Sequence, residues 1–298
     1  MSEVKGQTSE KRKYIPPISI SSLPKETDRS ILLGKIIDLN SKAFFDIDQL
    51  TKHTVIVGGS GTGKTIAGMV IAEECLLKKV AVVVFTPTKE WNFFGSKCDS
   101  GKMLRLYKEF GLSEEDRKEF NHSELVVSCD DLNIDVTSYV EEGKINVFVL
   151  DELTENDYNE FVKNSLESMM YKNWETTDKL KVLLVFENAY KLLPSFGNKA
   201  ALMLEKACRE FRKYGIGILL ITHSFSDFGP AVLGNVASEI WFKTSYDRDL
   251  DRITHRYGPE YRTAVVRLRT GECMIANVEY NYSKPWFIKF RPLYHKFQ

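Results

Sequence analysis

The chain has 298 residues, 43% of them hydrophobic, so it can bury a substantial core, and we expect one large α/β domain rather than two small ones. Lysine plus arginine and aspartate plus glutamate both number 41, which gives a formal net charge of zero. This balance excludes attraction of nucleic acid or anionic membrane over the whole surface, so a DNA contact would need a local stripe of charge or a pore formed by assembly.

The first segment has the composition of an arm rather than of a folded element. Residues 1–14 are polar and charged, and Ile15-Pro16-Pro17 leads into a serine-rich stretch that ends at Ser22. This composition predicts a flexible arm with polyproline character, which we place at residues 1–30. The folded domain is expected to begin near Ile31 and to span residues 31–298.

A phosphate-binding loop of the pattern G-x-x-x-x-G-K-[ST] joins a predicted strand to a predicted helix. Thr54–Val57 is a short apolar, β-branched run, and Ile66–Leu77 carries helix-spaced apolar residues. Between them lie Gly58, Gly59, Ser60, Gly61, Thr62, Gly63, Lys64 and Thr65. Glycines let backbone N–H groups approach phosphates, and the helix N-terminus adds partial positive charge. The loop predicts an ATP and Mg²⁺ site in which Lys64 reaches the β- and γ-phosphates and the Thr65 hydroxyl ligates the metal.

Further apolar runs indicate that the loop belongs to an α/β fold. Buried strands are predicted at Val80–Phe85, Ile145–Leu150, Val182–Phe186 and Ile216–Thr222, separated by stretches with helical spacing. This alternation predicts a mainly parallel sheet covered by helices on both faces. Residues 95–133 are polar, charged and helical in pattern, and we interpret them as a helical insertion within the domain.

Strand-like sequence returns after residue 240. The predicted strands are Val265–Leu268, Cys273–Val278 and Trp286–Phe290, which we expect to extend the sheet or to form a hairpin at a subunit contact. Trp286–Phe290 could be taken for a platform on which bases stack. Its period-two alternation after Pro285 favours a packed strand instead.

The remaining composition favours a cytoplasmic protein. The five cysteines form no C-x-x-C pair and have no histidine at zinc spacing, which is typical of reduced thiols. No segment approaches about 18 uninterrupted apolar residues, and the N-terminus is not a secretory signal. We therefore expect a cytoplasmic location and no membrane partner.

Two strand ends carry acidic residues suited to metal-assisted hydrolysis of a nucleotide. Such hydrolysis needs one carboxylate to hold Mg²⁺, directly or through water, and commonly a second to activate the attacking water. Apolar runs precede both Asp151-Glu152 and Glu187-Asn188. From the pattern alone Asp151 and Glu152 are preferred, because the second member of the other pair is an amide.

From Leu33 to Pro292 the chain resembles the HerA–FtsK branch of RecA-like ATPases, and HerA-type proteins in particular. The segments that carry the resemblance are Gly34, Phe45–His53, the phosphate loop, Phe85–Trp91, Phe186–Pro194, Arg209–Gly217 and Ile221–Phe225. They are similar to the family's apolar-Asp-x-Leu-x-x-His stretch, its strand ending in Asp-Pro with a nearby Glu-Trp, its second acidic motif, its Arg-Lys-x-Gly segment and its Thr/Ser-Gln-Arg-Pro sequence. The spacing of these segments is more specific than any one of them, although Thr86 stands at the usual Asp.

This resemblance reverses the choice of acid. It implies that Glu187 is the acid associated with Mg²⁺ and that Asp151-Glu152 ends a neighbouring strand. Asn188 stands where the family carries the acid that polarises water, and an amide cannot accept that proton. His223 stands at a Gln expected to contact the γ-phosphate, and a neutral imidazole can also bond phosphate or water. Three explanations stay open: Glu187 serves both roles, Glu152 supplies the base across the sheet, or hydrolysis is slow.

Ring ATPases commonly complete each site with a positive side chain of the neighbouring subunit, and an arginine finger is worth about 10³–10⁵ in rate. Arg209 and Arg212 lie three residues apart on a predicted helix, so both can project together. We expect Arg212 to be the finger; the alternative is a solvated face on which Glu205 pairs with Arg209. The weaker candidates are Lys243, Arg248 and Arg252.

The resemblance implies a ring, expected to be a hexamer, that translocates double-stranded DNA at the expense of ATP, as HerA- and FtsK-type helicases, translocases or packaging motors do. It also suggests a nuclease or other effector as partner. No base-reading motif is present, which suits a machine that grips the phosphate backbone. The alternatives are an ATP-binding ring that scaffolds an effector with little hydrolysis, which Asn188 favours, and a small-molecule kinase.

Overall fold

The computed structural model of the protein describes residues 14–39, 41–192 and 198–297. Its strands are β1 (Ser30–Ile36), β2 (Lys42–Asp46), β3 (Thr54–Val57), β4 (Ala81–Thr86), β5 (Asn121–Val126), β6 (Lys144–Val149), β7 (Thr177–Phe186), β8 (Tyr214–Thr222), β9 (Ser238–Phe242), β10 (Glu272–Asn277) and β11 (Trp286–Phe290). Its α-helices are α1 (Lys64–Leu77), α2 (Gly101–Tyr107), α3 (Glu155–Tyr171), α4 (Lys199–Glu210), α5 (Pro230–Leu233), α6 (Asp247–Tyr257) and α7 (Pro259–Val266).

These strands form a single sheet in the order β2-β1-β11-β10-β9-β3-β8-β7-β4-β6-β5. From β9 to β5 every neighbouring pair is parallel, whereas β10, β11, β1 and β2 add antiparallel strands at the other side. Val57 pairs with Thr222, and Phe186 pairs with both Leu220 and Phe85. The carboxyl ends of β3, β8, β7 and β4 therefore lie along one edge, where open α/β sheets bind their ligands.

The sheet is buried on both faces, as the alternation of strands and helices along the chain predicts. Val55 and Val57 belong to a core with residues of α3, α4, α6 and α7, whereas Ile56 packs in a second core with residues of α1. Period-two alternation sends neighbouring side chains of one strand to opposite faces. The predicted mainly parallel sheet with helices on both faces is confirmed, and β10 and β11 extend it.

One of the predicted strands differs from the structure. Val265–Leu268 is not a strand, because Val265 lies in α7, which starts with Pro259 at its first turn and buries Ala264 and Val265. A short apolar run does not distinguish a buried helix from a strand, and Pro at the first helical turn favours the helix. Trp286–Phe290 is a packed strand, as expected, with four of its five residues buried.

The predicted helical insertion at 95–133 contains more than helix. It includes α2 and short 3₁₀ turns, but its second half forms β5, which pairs in parallel with β6 at the edge of the sheet. Because β5 is an edge strand with no buried residue, its sequence is polar, and it lacks the apolar run by which the other strands were predicted. The segment is thus partly a continuation of the sheet.

The predicted N-terminal arm is described only from Tyr14 onward, and residues 1–13 lie outside the described part of the chain. From Tyr14 to β1 the chain lies against the domain: Leu23 is buried, and Tyr14 and Ile15 pack on the core below α7. The first strand, β1, starts at Ser30, next to the predicted Ile31. Among the described helices, none has the length and apolar composition that crossing a bilayer requires.

His53 has a structural role in this fold. It follows a 3₁₀ turn at Ile47–Lys52, donates from Nε2 to the Cys208 carbonyl oxygen at 2.9 Å, and accepts at Nδ1 from the Ile218 N–H at 3.1 Å. Burial lowers the pKa of His53 to about 4, so the ring is neutral at pH 7 and can both donate and accept. It fixes the chain immediately before β3, and hence the start of the phosphate loop.

Candidate functional site

The phosphate loop connects β3 to α1 with backbone angles that only glycine adopts easily. Gly58 has a φ of 151°, and a Cβ there would lie 2.6 Å from the Cβ of Phe242. Gly63, with a φ of 110°, caps the N-terminus of α1. Glycine is therefore required at both positions, and the loop's N–H groups can point toward a bound anion at the helix N-terminus.

The C-terminal half of the chain supports this loop from the side. The Gly59 N–H donates to the carbonyl oxygen of Lys243, just after β9, at 2.8 Å. The Gly271 N–H, in the turn before β10, donates to the Thr62 carbonyl oxygen at 2.9 Å. The loop is thus held in shape by two backbone contacts that no local sequence motif reveals.

The Lys64 side chain folds back over the phosphate loop. Its Nζ donates to the Gly59 carbonyl oxygen at 2.9 Å, so the ammonium group lies across the mouth of the loop. Burial lowers the pKa of Lys64, and the nearby carboxylate of Glu187 opposes that change. A cation held over a ring of backbone N–H groups is the arrangement that binds a triphosphate.

Glu187 directly follows β7, two strands from β3 in the sheet, and its carboxylate lies beside the loop. Its Oε1 accepts from the Thr65 hydroxyl at 2.8 Å. Its Oε2 accepts from the Thr86 hydroxyl at 2.7 Å, the Trp91 Nε1–H at 2.8 Å and the Thr88 hydroxyl at 3.3 Å. Only 3% of Glu187 is exposed. Four donors therefore fix one buried carboxylate against the residue predicted to ligate the metal.

Asp151 and Glu152 lie elsewhere along the same edge. They follow β6, which is two strands from β7, or about 10 Å at the usual strand spacing. Both are exposed, and Asp151 forms an ion pair with Lys89 at 3.4 Å. The structure thus brings Glu187, and not this pair, to the phosphate loop.

Asn188 and His223 occupy two of the positions at which the sequence departs from the family pattern. Asn188 has a φ of 52°, a left-handed conformation that asparagine tolerates better than most residues, and begins a 3₁₀ turn at Ala189–Leu192. His223 follows β8 next to the loop, with its ring centroid 5.8 Å from that of Tyr190. Partial burial and the charge of Lys64 lower the pKa of His223, so its imidazole is neutral at pH 7. The Leu193-Pro194 ending of the same motif lies outside the described residues.

The segment Thr86–Trp91 is the part of the site that sequence reasoning did not assign. It begins at the last residue of β4, the neighbour of β7, and three of its side chains bind Glu187. Glu90 lies in the same segment, half-buried, and burial together with the charge of Glu187 raises the pKa of Glu90. The sequence difference at Thr86 could have indicated this role, because threonine supplies a hydroxyl donor where the family carries an acid.

Arg212 lies at the opposite edge of the sheet. It precedes β8, whose nine residues span about 30 Å, while the phosphate loop is at the far end of the neighbouring strand. Arg212 is exposed and lines an open groove with Arg209 and Lys52. Arg209 lies 3.9 Å from Glu205, which is the pairing considered as an alternative to a finger role. Arg212 therefore cannot reach the phosphate loop of its own chain.

Two of the weaker finger candidates, Arg252 and Lys243, are engaged by other groups or lie beside their own phosphate loop. Arg252 pairs with the buried Glu239 at 3.1 Å, and its guanidinium stacks over the Phe225 ring at 3.8 Å. Lys243 follows β9 at the edge of its own phosphate loop. Neither Arg252 nor Lys243 lies at the edge of the sheet that carries Arg212.

The donor atoms at the loop fit Mg²⁺ bound together with a nucleotide. Within residues 14–39, 41–192 and 198–297 no group of three His, Cys, Asp or Glu side chains could hold a metal without further ligands. One hydroxyl and one carboxylate, those of Thr65 and Glu187, instead lie 2.8 Å apart. Mg²⁺ prefers such a site, with a few oxygen ligands from protein and the rest from phosphates and water.

Comparisons with known proteins agree with this fold. The sequence profile described as "Helicase HerA, central domain" matches residues 31–200. A search of curated protein sequences found no match. VirB4 of Thermoanaerobacter pseudethanolicus is similar in structure, with a TM-score of 0.60 at 15% identity, over 92% of this chain and 98% of that protein.

Two further solved structures share the fold. The plasmid coupling protein TrwB, in complex with the non-hydrolysable GTP analogue GDPNP, has a TM-score of 0.57 at 10% identity over 92% of both chains. The pCW3 conjugation coupling protein TcpA, solved with ATPγS, has a TM-score of 0.50 at 12% identity over 95% of this chain and 71% of that one. The fold is thus that of HerA/FtsK-type, RecA-like P-loop ATPases. Because the profile covers more than half of its length, the chain belongs to the family of the HerA helicase central domain.

Proposed function

We propose that the protein is an Mg²⁺-dependent ATPase that assembles into a ring, a hexamer, and moves double-stranded DNA. The observation that carries the proposal is the 2.8 Å contact between the Thr65 hydroxyl and the Glu187 carboxylate at the mouth of the phosphate loop. It joins two groups that could hold Mg²⁺ beside a triphosphate, and hydrogen bonds from Thr86, Thr88 and Trp91 fix the Glu187 carboxylate in place. Membership of the HerA family supports DNA as the substrate.

Different residues of the site would bind the phosphates, hold Mg²⁺ and orient the Glu187 carboxylate. Backbone N–H groups of residues 58–63 and the Lys64 ammonium bind the phosphates, and the neutral His223 offers a hydrogen bond near the γ-phosphate. Thr65 and Glu187 would hold Mg²⁺, which neutralises negative charge on the phosphates when it is bound. Thr86 and Trp91 keep the Glu187 carboxylate oriented toward Thr65.

Ring assembly explains why a predicted catalytic arginine lies far from its own site. Arg212 is exposed at the sheet edge opposite the phosphate loop, so only the loop of another subunit is accessible to it. A ring that closes heterologously joins two different surface patches of neighbouring subunits, so Arg212 of one subunit can face the loop of the next. The neutral net charge agrees with DNA contact through a local, assembled surface.

A second candidate is favoured by one observation. Asn188 replaces the acid that would activate water, which suits a ring that binds ATP, turns it over little and scaffolds a nuclease or other effector. The solved structures of TcpA with ATPγS and of TrwB with GDPNP agree with nucleotide binding in either case.

Steady-state ATPase assays with and without linear duplex DNA separate the two candidates. The motor predicts turnover that duplex DNA stimulates and that Lys64→Ala abolishes, because the variant loses the cation over the loop. The exposed Lys206 on α4 supplies a matched control, and Lys206→Ala should leave turnover unchanged. Tight ATP binding without turnover in either condition would contradict the motor and favour the scaffold.

A further inference from the structure

A buried cluster of charged side chains lies outside the site described above. Glu73 and Glu74 belong to α1, and Arg291 follows β11. Arg291 donates to Glu73 Oε2 at 2.6 Å and to Glu74 Oε1 at 2.8 Å, and the side chains of Arg291 and Glu73 have no exposed surface. Buried charges persist only when they are paired and hydrogen-bonded, so the cluster fixes residues 291–297 against the helix that begins with Lys64.

His295 lies in the same segment and binds Glu73 with two groups. Its backbone N–H donates to Glu73 Oε1 at 2.9 Å, and its ring Nδ1 lies 2.6 Å from the same oxygen. Burial opposes ionisation of Glu73, but the charge of Arg291 and the hydrogen bonds from His295 hold the pKa of Glu73 below its usual range. An ionised carboxylate only accepts hydrogen bonds, so Nδ1 donates. The buried Nε2 of His295 finds no hydrogen-bond partner among the residues that the structure describes.

The His295 ring is one end of a row of three buried aromatic rings. Its centroid lies 3.7 Å from that of Phe94, with an angle of 22° between the planes. Phe94 in turn stacks on Trp91, with centroids 5.9 Å apart and planes 6° apart. The other end of the row is the Trp91 Nε1–H, which donates to Glu187 at 2.8 Å. The row thus connects His295 to the carboxylate beside the phosphate loop.

Packing, rather than the sheet, determines where Trp91 lies. The Thr86 hydroxyl is placed by the sheet, because Thr86 is the last residue of β4. Trp91 lies beyond β4, in a 3₁₀ turn at Glu90–Phe93. Two backbone hydrogen bonds fix the chain just after this turn to residues 291–297. They run from the Cys98 N–H to the Tyr294 carbonyl oxygen at 3.0 Å and from the Lys296 N–H to the Ser96 carbonyl oxygen at 2.8 Å.

We propose that His295 is a positioning residue of the ATPase site, which keeps the Trp91 indole directed at Glu187. It acts through Phe94, and its bond to Glu73 ties the row of rings to α1, the helix at the phosphate loop. This role rests on the proposed function. Groups that hydrogen-bond a carboxylate on the metal side set its direction, and their loss typically costs about 10–100-fold in activity or metal affinity.

Two substitutions of His295 separate its ring from its hydrogen bond. His295→Asn keeps an N–H donor near the place of Nδ1 and removes the ring, whereas His295→Phe keeps a ring and removes the donor to Glu73. We expect His295→Asn to lower kcat by about tenfold, with the KM for Mg²⁺–ATP unchanged because no contact with the nucleotide is lost. His295→Phe should keep most of the wild-type kcat, although its melting temperature should fall because Glu73 loses a buried donor.

Lys296→Ala is the matched control in the same segment. Lys296 pairs with the exposed Asp99 at 2.8 Å, and an ion pair at the surface contributes little. This variant should keep the wild-type kcat and melting temperature.

NMR of the nucleotide-free protein reports on the contact itself. Labelled tryptophan gives four indole N–H signals, and the one that is missing in Trp91→Phe belongs to Trp91. In His295→Asn this signal should move upfield and exchange faster with water, because the hydrogen bond to Glu187 loosens. In His295→Phe it should stay near its wild-type position. A His295 that only stabilises the fold would change the melting temperature and leave both the indole signal and the kcat of the folded variants at wild-type values, which overturns the proposal.

Trp91→Phe also shows whether His295 acts through Trp91. Once the indole is absent, adding His295→Asn should lower kcat no further, because both substitutions remove the same contact. Losses that add overturn the proposal. If His295→Asn does not fold, Phe94→Leu takes its place, since it removes the middle ring and leaves the charged cluster intact. Wild-type values of kcat and of the Trp91 signal in Phe94→Leu would overturn the proposal.

Failure of the proposed function gives a different result. A wild-type chain that binds ATP without turnover contradicts the ATPase. The Trp91 signal then still decides the role of His295 by itself: a shift in His295→Asn supports the placement of Trp91 by His295, and an unchanged signal overturns it.

Discussion

Arg212→Ala should lower ATP turnover of the assembled protein by about 10³-fold or more, the worth of an arginine finger supplied by a neighbouring subunit. The effect is expected on kcat rather than on folding, because Arg212 is exposed and lies at the opposite edge of the sheet from its own phosphate loop. Arg209→Ala is the matched control. Arg209 is exposed, is held near Glu205, and should change the rate only slightly.

Mixing two inactive variants shows whether Arg212 acts between subunits. Lys64→Ala destroys the site of its own subunit but keeps its arginine, whereas Arg212→Ala keeps its own site and lacks the arginine. In a mixed ring some intact sites face an intact arginine, so part of the activity should return. If each variant alone is inactive and the mixture stays inactive at every ratio, a role in trans is wrong.

Glu187→Gln should lower kcat for Mg²⁺-dependent hydrolysis by about 10²–10³-fold or more. The glutamine oxygen can still accept from Thr86, Thr88 and Trp91, and its NH₂ group can donate to the Thr65 hydroxyl. The buried hydrogen bonds are therefore kept, while the negative charge that faces Mg²⁺ is replaced by an NH₂ dipole of the wrong sign. Stability should change little, so the loss of rate reports on chemistry.

The comparison variant for this experiment is Glu152→Gln. Its carboxylate is exposed on a strand two places away, and its substitution should leave kcat within about twofold of the wild type. Hydrolysis and melting temperature are measured for both variants over a range of Mg²⁺ concentrations. If Glu152→Gln is inactive and Glu187→Gln is active, the assignment of the acid is reversed.

The sequence was sufficient to predict the parallel half of the sheet and the phosphate loop. Buried central strands are continuous apolar runs, and the loop needs glycines with the angles seen at Gly58 and Gly63. The edge strand β5 could not be found in the same way, because its residues are not buried. Val265 was assigned to a strand because four residues are too few to show helical periodicity.

The choice of Glu187 over Asp151 depended on resemblance, not on the local pattern. Position in the sheet decides which strand end faces the loop, and sheet order is a long-range property that a strand's own residues do not encode. The contacts from Thr86 and Trp91 to Glu187 could not be predicted from the sequence for the same reason. They join segments about a hundred residues apart, and only the parallel pairing of β4 with β7 brings them together.

The structure of the protein with ATPγS and Mg²⁺ tests the central claim most directly. We expect the γ-phosphate to contact Lys64, with Mg²⁺ between the phosphate oxygens and Thr65 and with the Glu187 carboxylate within about 5 Å of the metal, directly or through one water. A nucleotide bound away from residues 58–65, or a metal remote from Glu187, would contradict the account.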